Sequence, residues 1–165
     1  MRLSLIPALL LTATLAQAQP LALVQVDGLV PEPRAQDYDS RDEPLCAGDA
    51  RPPETLAEQA LTGRGWLLTD PALVEGDTRV VPAADAQVGS CRFWGTSVFV
   101  FRRDRLLGLI QTEDPQAYLT LRLQSPALLV VDARYRNPDD AQCCPSGELS
   151  VRYRITDEGV SALSP

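Results

Sequence analysis

Four cysteines carry the most specific chemistry in this chain. Cys143 and Cys144 are adjacent, in NPDDAQCCPSGELSVRYRI; Cys46 and Cys91 lie far upstream. Thiols of this kind either form structural disulfides or exchange electrons. Redox pairs use C-x-x-C at a helix start, whereas Cys144-Pro145-Ser146-Gly147 leads into a strand-like run, so the spacing favours structure. Neighbouring residues on extended backbone point to opposite sides and reach different partners. A bond between them would close a strained ring. The expectation is therefore that Cys46 and Cys91 each pair with one of Cys143 and Cys144, with the connectivity left open. A bridge from Cys46 would close nearly the whole domain, worth about 4–5 kcal/mol in the loop-entropy picture.

The second concentration of chemistry is arginine. Arg122, Arg134, Arg136, Arg152 and Arg154 fall on the polar side of alternating strand-like runs. Two readings follow. One is a shallow site for an anion such as a phosphate, a lipid head group or an acidic glycan. The other is a solvated face neutralised by Asp132, Glu148 and the acidic N-terminal segment, which cross-strand pairing makes ordinary. The sequence favours self-neutralisation.

The remaining candidates are weaker. Asp37, Asp39, Asp42 and Glu43 suggest calcium, but Arg41 stands at the fifth loop position and the sixth is not glycine, so no metal is expected. Asp139 and Asp140 follow Asn137-Pro138 as turn residues. Nothing selects two carboxylates across a cleft, as a glycosidase-type hydrolase requires. Ser146 has no base to activate it, because the chain contains no His. It also contains no Lys, which removes Schiff-base chemistry and the P-loop lysine. No cofactor is implied. A net charge of −7 argues against nucleic acid. Trp66, Trp94 and Tyr118 read as core aromatics.

The elements that would position these residues begin with an export signal. Arg2, the apolar run Leu3 to Leu15 and Ala16-Gln17-Ala18 are the three parts of a signal peptide over 1–18. The run is shorter than the roughly 20 residues of a membrane span. No cysteine precedes Cys46, so a lipid anchor is not expected. The expected location is periplasmic or secreted, with a mature chain beginning near Gln19. Removing the leader makes the charge one unit more negative.

Residues 19–52 read as an irregular acidic segment, with a short strand over Leu21 to Val26. Residues 53–165 read as one domain. Pro53, Glu54, Glu58 and Gly63 frame a helix over 53–62, with Leu56, Ala57, Ala60 and Leu61 on one stripe. Residues 70–92 read as loop, with a turn of helix near Pro71 to Glu75. From Trp94 to Arg102 both faces are apolar, which marks a central strand. Arg103-Asp104 reads as a turn into Arg105 to Gln111. The runs around Leu119–Leu123, Leu129–Tyr135 and Leu149–Ile155 alternate with period two. The expected fold is α+β: one N-terminal helix packed on an antiparallel meander of about five strands, disulfide-stapled.

SVFVFRRDRLLGLIQ and VVDARYRNPDDAQCCPSGELSVRYRIT resemble the C-terminal half of the LppP/LprE-type envelope lipoproteins, over about residues 90–163. The shared features are an apolar strand, a short turn, and a second strand with a central glycine, here Gly108. A strand ending in an aromatic-basic segment follows, then a cysteine-containing Pro-Ser-Gly turn and a last strand like Val151-Arg152-Tyr153-Arg154. Cys91 and the helix at 53–62 fit the same pattern. The family's lipid-bearing cysteine is missing here. The resemblance implies an exported, envelope-associated domain and no established reaction. The leading expectation is a non-enzymatic binding or accessory module with an envelope or extracellular partner. An anionic-ligand binder comes next, and a carboxylate hydrolase third.

Overall fold

The computed structural model of the chain describes residues 21–34, 50–88, 92–141 and 144–163, with no side-chain description at 86–88 and 92. The described elements are β1 (Leu21–Val24), α1 (Leu56–Thr62), β2 (Leu67–Leu68), β3 (Leu73–Glu75), β4 (Thr78–Val88) and β5 (Arg92–Arg102). They continue with β6 (Arg105–Thr112), β7 (Tyr118–Ser125), β8 (Leu128–Tyr135), β9 (Gly147–Ile155) and β10 (Val160–Leu163). The signal sequence, Cys46, Cys91, Cys143 and the acidic cluster at 37–43 lie outside the described residues.

The strands form two antiparallel sheets. One has six strands, in the order β1-β6-β5-β4-β2 with β3 also on β4; the other runs β10-β9-β8-β7. Val98, Val100 and Ile110 of the first sheet meet Leu129, Val131, Tyr153 and Ile155 of the second in one core. The opposite face of the six-stranded sheet is also covered. Val81, Phe99, Phe101 and Leu109 pack there with Trp66 and with Ala57 and Leu61 of α1. The Trp66 and Phe99 rings meet edge to face at 4.7 Å, an arrangement worth about 0.5–1.5 kcal/mol beyond its burial. Val24, Val26 and Val30 extend this cover.

This architecture corrects the α+β expectation. Among the described residues ten strands stand against one seven-residue helix, in two sheets rather than a single meander. Each alternating run is a strand, but alternation does not say which strands share a sheet. The chain leaves the six-stranded sheet after β6 and starts the other at β7. The expected loop over 70–92, with its turn of helix, is instead β3 and the eleven-residue β4. Pro82, Asp85 and three alanines give β4 a composition that strands disfavour. Pro82 is tolerated because it lies between the stretch of β4 paired to β3 and the stretch paired to β2. A missing N–H breaks no ladder bond on that side.

The disulfide staple also needs restating. No disulfide joins two described residues. Cys144 is disulfide-bonded; the pairing expected with Cys46 or Cys91 falls outside the described residues.

The helix starts later than its sequence suggests. Thr55 caps it, accepting from the Glu58 amide at 3.4 Å, and the Glu58 carboxylate returns to the Glu54 amide at 2.7 Å. This is a capping-box arrangement shifted by one residue. Glu58 is fully buried and bonded to Arg51 at 2.8 Å, with Arg79 at 3.5 Å. At one end of the sandwich Arg102 joins both sheets. It meets Asp157 at 2.6 Å and donates to the Pro126 carbonyl at 3.1 Å. Gly108 lets β10 approach: a Cβ there would stand 2.8 Å from Cγ2 of Val160.

Candidate functional site

The candidate arginines can be placed from the register of the four-stranded sheet. Leu129, Val131, Ala133, Tyr153 and Ile155 are buried against the other sheet. Their alternates must therefore face outward. Cross-strand pairing sets these alternates in rows. Tyr118, Arg134 and Glu148 form one row, and Thr120, Asp132 and Ser150 the next. Arg122, Val130, Arg152 and Leu163 form the third. Leu128, Arg154 and Ser161 follow.

This packing splits the five arginines into two groups. Arg122 meets the Asp132 carboxylate at 2.7 Å, and Ser150 donates to the other oxygen of Asp132 at 2.6 Å. Arg134 donates through Nε and Nη2 to Oε1 of Glu148, at 3.1 and 2.9 Å. Arg136 leaves the face. Its amide donates to Asp114 at 2.9 Å and its guanidinium sits 3.7 Å from the same carboxylate. Arg152 and Arg154 are exposed and have no ion-pair partner among the described residues. They are two residues apart on one strand, so their Cα atoms stand about 7 Å apart.

Between the paired groups lies an open depression of about 370 Å³, lined by Tyr118, Thr120, Asp132, Arg134, Glu148 and Ser150. Its two carboxylates are each occupied by an arginine. Tyr118 is 53% exposed on this face, which corrects its reading as a core aromatic. Its alternation with Leu119 was visible in the sequence, and an aromatic at an outward position was the available signal. Trp66 is buried, and Trp94 is half-buried.

The turn from β8 to β9 is held by one carboxylate. Asp140 accepts from the amides of Asn137 and Ser146, both at 2.8 Å, and from the Ser146 hydroxyl at 2.7 Å. These bonds, Ser146 foremost, hold the Asp140 carboxyl below its ordinary range. Ser146 is thereby tied into the turn as a donor. Asp157 is lowered in the same direction by its bond to Arg102. Asp140 was legible only as a turn residue and Asp114 was not singled out; their roles as anchors depend on where β7 and β9 come to lie.

Among the described residues no group of three His, Cys, Asp or Glu side chains comes together to hold a metal. No helix there is long and apolar enough to cross a membrane. A family model described as LppP/LprE lipoprotein matches residues 76–158, from the turn before β4 to just past β9. No curated protein and no solved structure matches the chain.

Proposed function

The chain belongs to the LppP/LprE lipoprotein family, and from that premise we propose that it is an exported, non-enzymatic module of the cell envelope. Its partner is another envelope component, met by the outer face of the four-stranded sheet. One observation carries this reading. Asp132 and Glu148, the carboxylates of the depression, are each neutralised by an arginine of the same face. A hydrolase needs one carboxyl to shuttle a proton and the other to stay free for a water or a sugar carbon. Carboxylates held by Arg122 and Arg134 suit a surface that recognises shape and charge. The exposed Tyr118 fits the same use, since a ring with a polar tip suits an interface that is part apolar and part wet.

The test is a photo-crosslinking amino acid placed singly at Thr120, Ser150 and, as a control on the helix, Gln59, in producing cells. One discrete adduct from the two sheet positions and none from Gln59 is the expected result. Adducts from all three, or from none, would overturn the assignment of this face.

Arg152 and Arg154 favour a second reading, in which the partner presents an anion: a phosphate, a lipid head group or an acidic glycan. Two exposed arginines whose Cα atoms stand about 7 Å apart on one face suit an anion with more than one charged oxygen. Salt-sensitive binding to anionic vesicles or acidic glycans, lost in Arg152→Ala/Arg154→Ala, is the expected signature. Binding unchanged in that variant removes this reading and leaves the first intact.

A further inference from the structure

We propose that β7 is a self-association edge, through which two copies of the chain join their four-stranded sheets into one antiparallel sheet of eight strands. Among the described residues β7 is hydrogen-bonded to β8 alone, with β3 of the other sheet lying near it but not paired to it. On its other side every second residue presents a backbone N–H and C=O with no ladder partner among the described residues. Short edges are a common protection, and the other edge strands here are short: β1 and β10 have four residues, β2 two and β3 three. β10 is further occupied by Gln25, which donates to the Val160 carbonyl at 3.4 Å. β7 has eight residues.

Its side chains point the same way. Leu119, Leu121 and Leu123 face the core yet are only half-buried, while their partners Ala133, Val131 and Leu129 on β8 are sealed. The core is therefore open along this flank. The usual guard of such an edge is charge. The one charged residue on β7, Arg122, is drawn back onto Asp132 of β8 at 2.7 Å and neutralised there.

The occupant follows from the sequence of β7, which complements itself. Antiparallel pairing about Leu121 sets Leu121 on its own copy and Leu119 on Leu123. Thr120 then falls opposite Arg122, and Tyr118 opposite Gln124. The leucines close the open flank from both sides, and no like charges stand directly opposite each other. Aliphatic cross-strand pairs of this kind stabilise a sheet, whereas opposed like charges destabilise it.

Sedimentation velocity of the mature chain over a wide concentration range tests the proposal, with amide exchange of residues 118–125 measured alongside. A dimer is expected, and exchange in β7 should slow as it forms. Thr120→Arg places arginine opposite Arg122 twice per dimer, at an exposed position, and should weaken association by about tenfold. Thr120→Arg/Arg122→Thr exchanges the two residues and should restore it, because arginine again faces threonine. A chain that stays monomeric throughout overturns the proposal, even if another protein's strand protects β7 in cells. So does a dimer indifferent to Thr120→Arg, or one that the double exchange fails to restore. Should the single variant not fold, unchanged β7 exchange in the parent chain at high concentration is enough to reject it. A homodimeric adduct at Thr120 belongs to this seam, whereas the partner assignment is read at Ser150, two strands away from β7.

Discussion

The ring of Tyr135 lies directly on the backbone of Gly147: a Cβ at position 147 would stand 2.6 Å from Cε2 of the ring. The two residues are the cross-strand pair at the end of β8 and the start of β9. Together with Asp140 they fix the turn that carries Cys144 into the last long strand. Any side chain at 147 must displace the ring, and such overpacking typically costs about 1–3 kcal/mol. Gly147→Ala should therefore lower the denaturation midpoint, measured by urea titration. In a Tyr135→Ala background the same change should cost little, since the two residues are coupled through this contact. Equal costs in both backgrounds would place the strain elsewhere.

Burial alone would raise the pKa of Glu58, but the bonds from Arg51 and the Glu54 amide, with the charges of Arg51 and Arg79, outweigh it and lower it. A carboxylate lowered on folding stabilises the native state above its ordinary pKa of 4.5. That contribution is lost as the pH falls through the folded value. Glu58→Gln leaves two arginines facing a neutral amide and should cost about 3 kcal/mol at neutral pH. As the pH falls through that folded value the parent and variant should converge. Denaturation midpoints at a series of acid pH values check this; a constant gap would rule out the titration.

Tyr153 works at the other end of the scale. Burial between the sheets pushes its pKa up to about 12. A raised value means the native state holds the proton more tightly. Stability is thus complete below pH 10 and falls as the pH rises towards 12. A shift of about two units corresponds to about 2–3 kcal/mol. With no Lys in the chain, little else masks this limb. Tyr153→Phe should flatten it, and an unaltered alkaline profile in that variant would assign the loss to another group.

How much of this was legible can be argued from particular stretches. Leu149, Val151, Tyr153 and Ile155 declared their strand by alternation, and Val98 to Phe101 declared a strand covered on both sides. Both statements are local, and local pattern suffices for them. β4 was hidden because its partners, β2, β3 and β5, supply the stability its own composition lacks. The division into two sheets was hidden for a related reason: the crossing at residues 113–117 looks like any turn until the pairings on either side are known. At the site, the outward positions of Arg122, Arg134, Arg152 and Arg154 could be read from period two, while Arg136, one residue past β8, leaves that face. Which of them are neutralised could not, because Asp132 reaches Arg122 and Asp114 reaches Arg136 across different strands. Glu58 shows the same limit, since its place near the helix start gave no sign of burial, which depends on Arg51 and Arg79 arriving from elsewhere.

The six-stranded sheet is shared by both hydrophobic layers, and this has a consequence for how the molecule opens. Val98 and Phe99 are neighbours in sequence, yet one belongs to the layer between the sheets and the other to the layer beneath Trp66. Water reaches the amides of β5 only if both layers part. The four-stranded sheet has one covered face and can loosen by losing a single layer. Partial unfolding therefore has a direction: β7 to β10 detach first, while β4, β5 and β6 persist under α1 and Trp66. A protease acting on that intermediate would meet the Arg-rich strands before the apolar ones, and the fragment it left intact would be the part of the chain with the least visible chemistry.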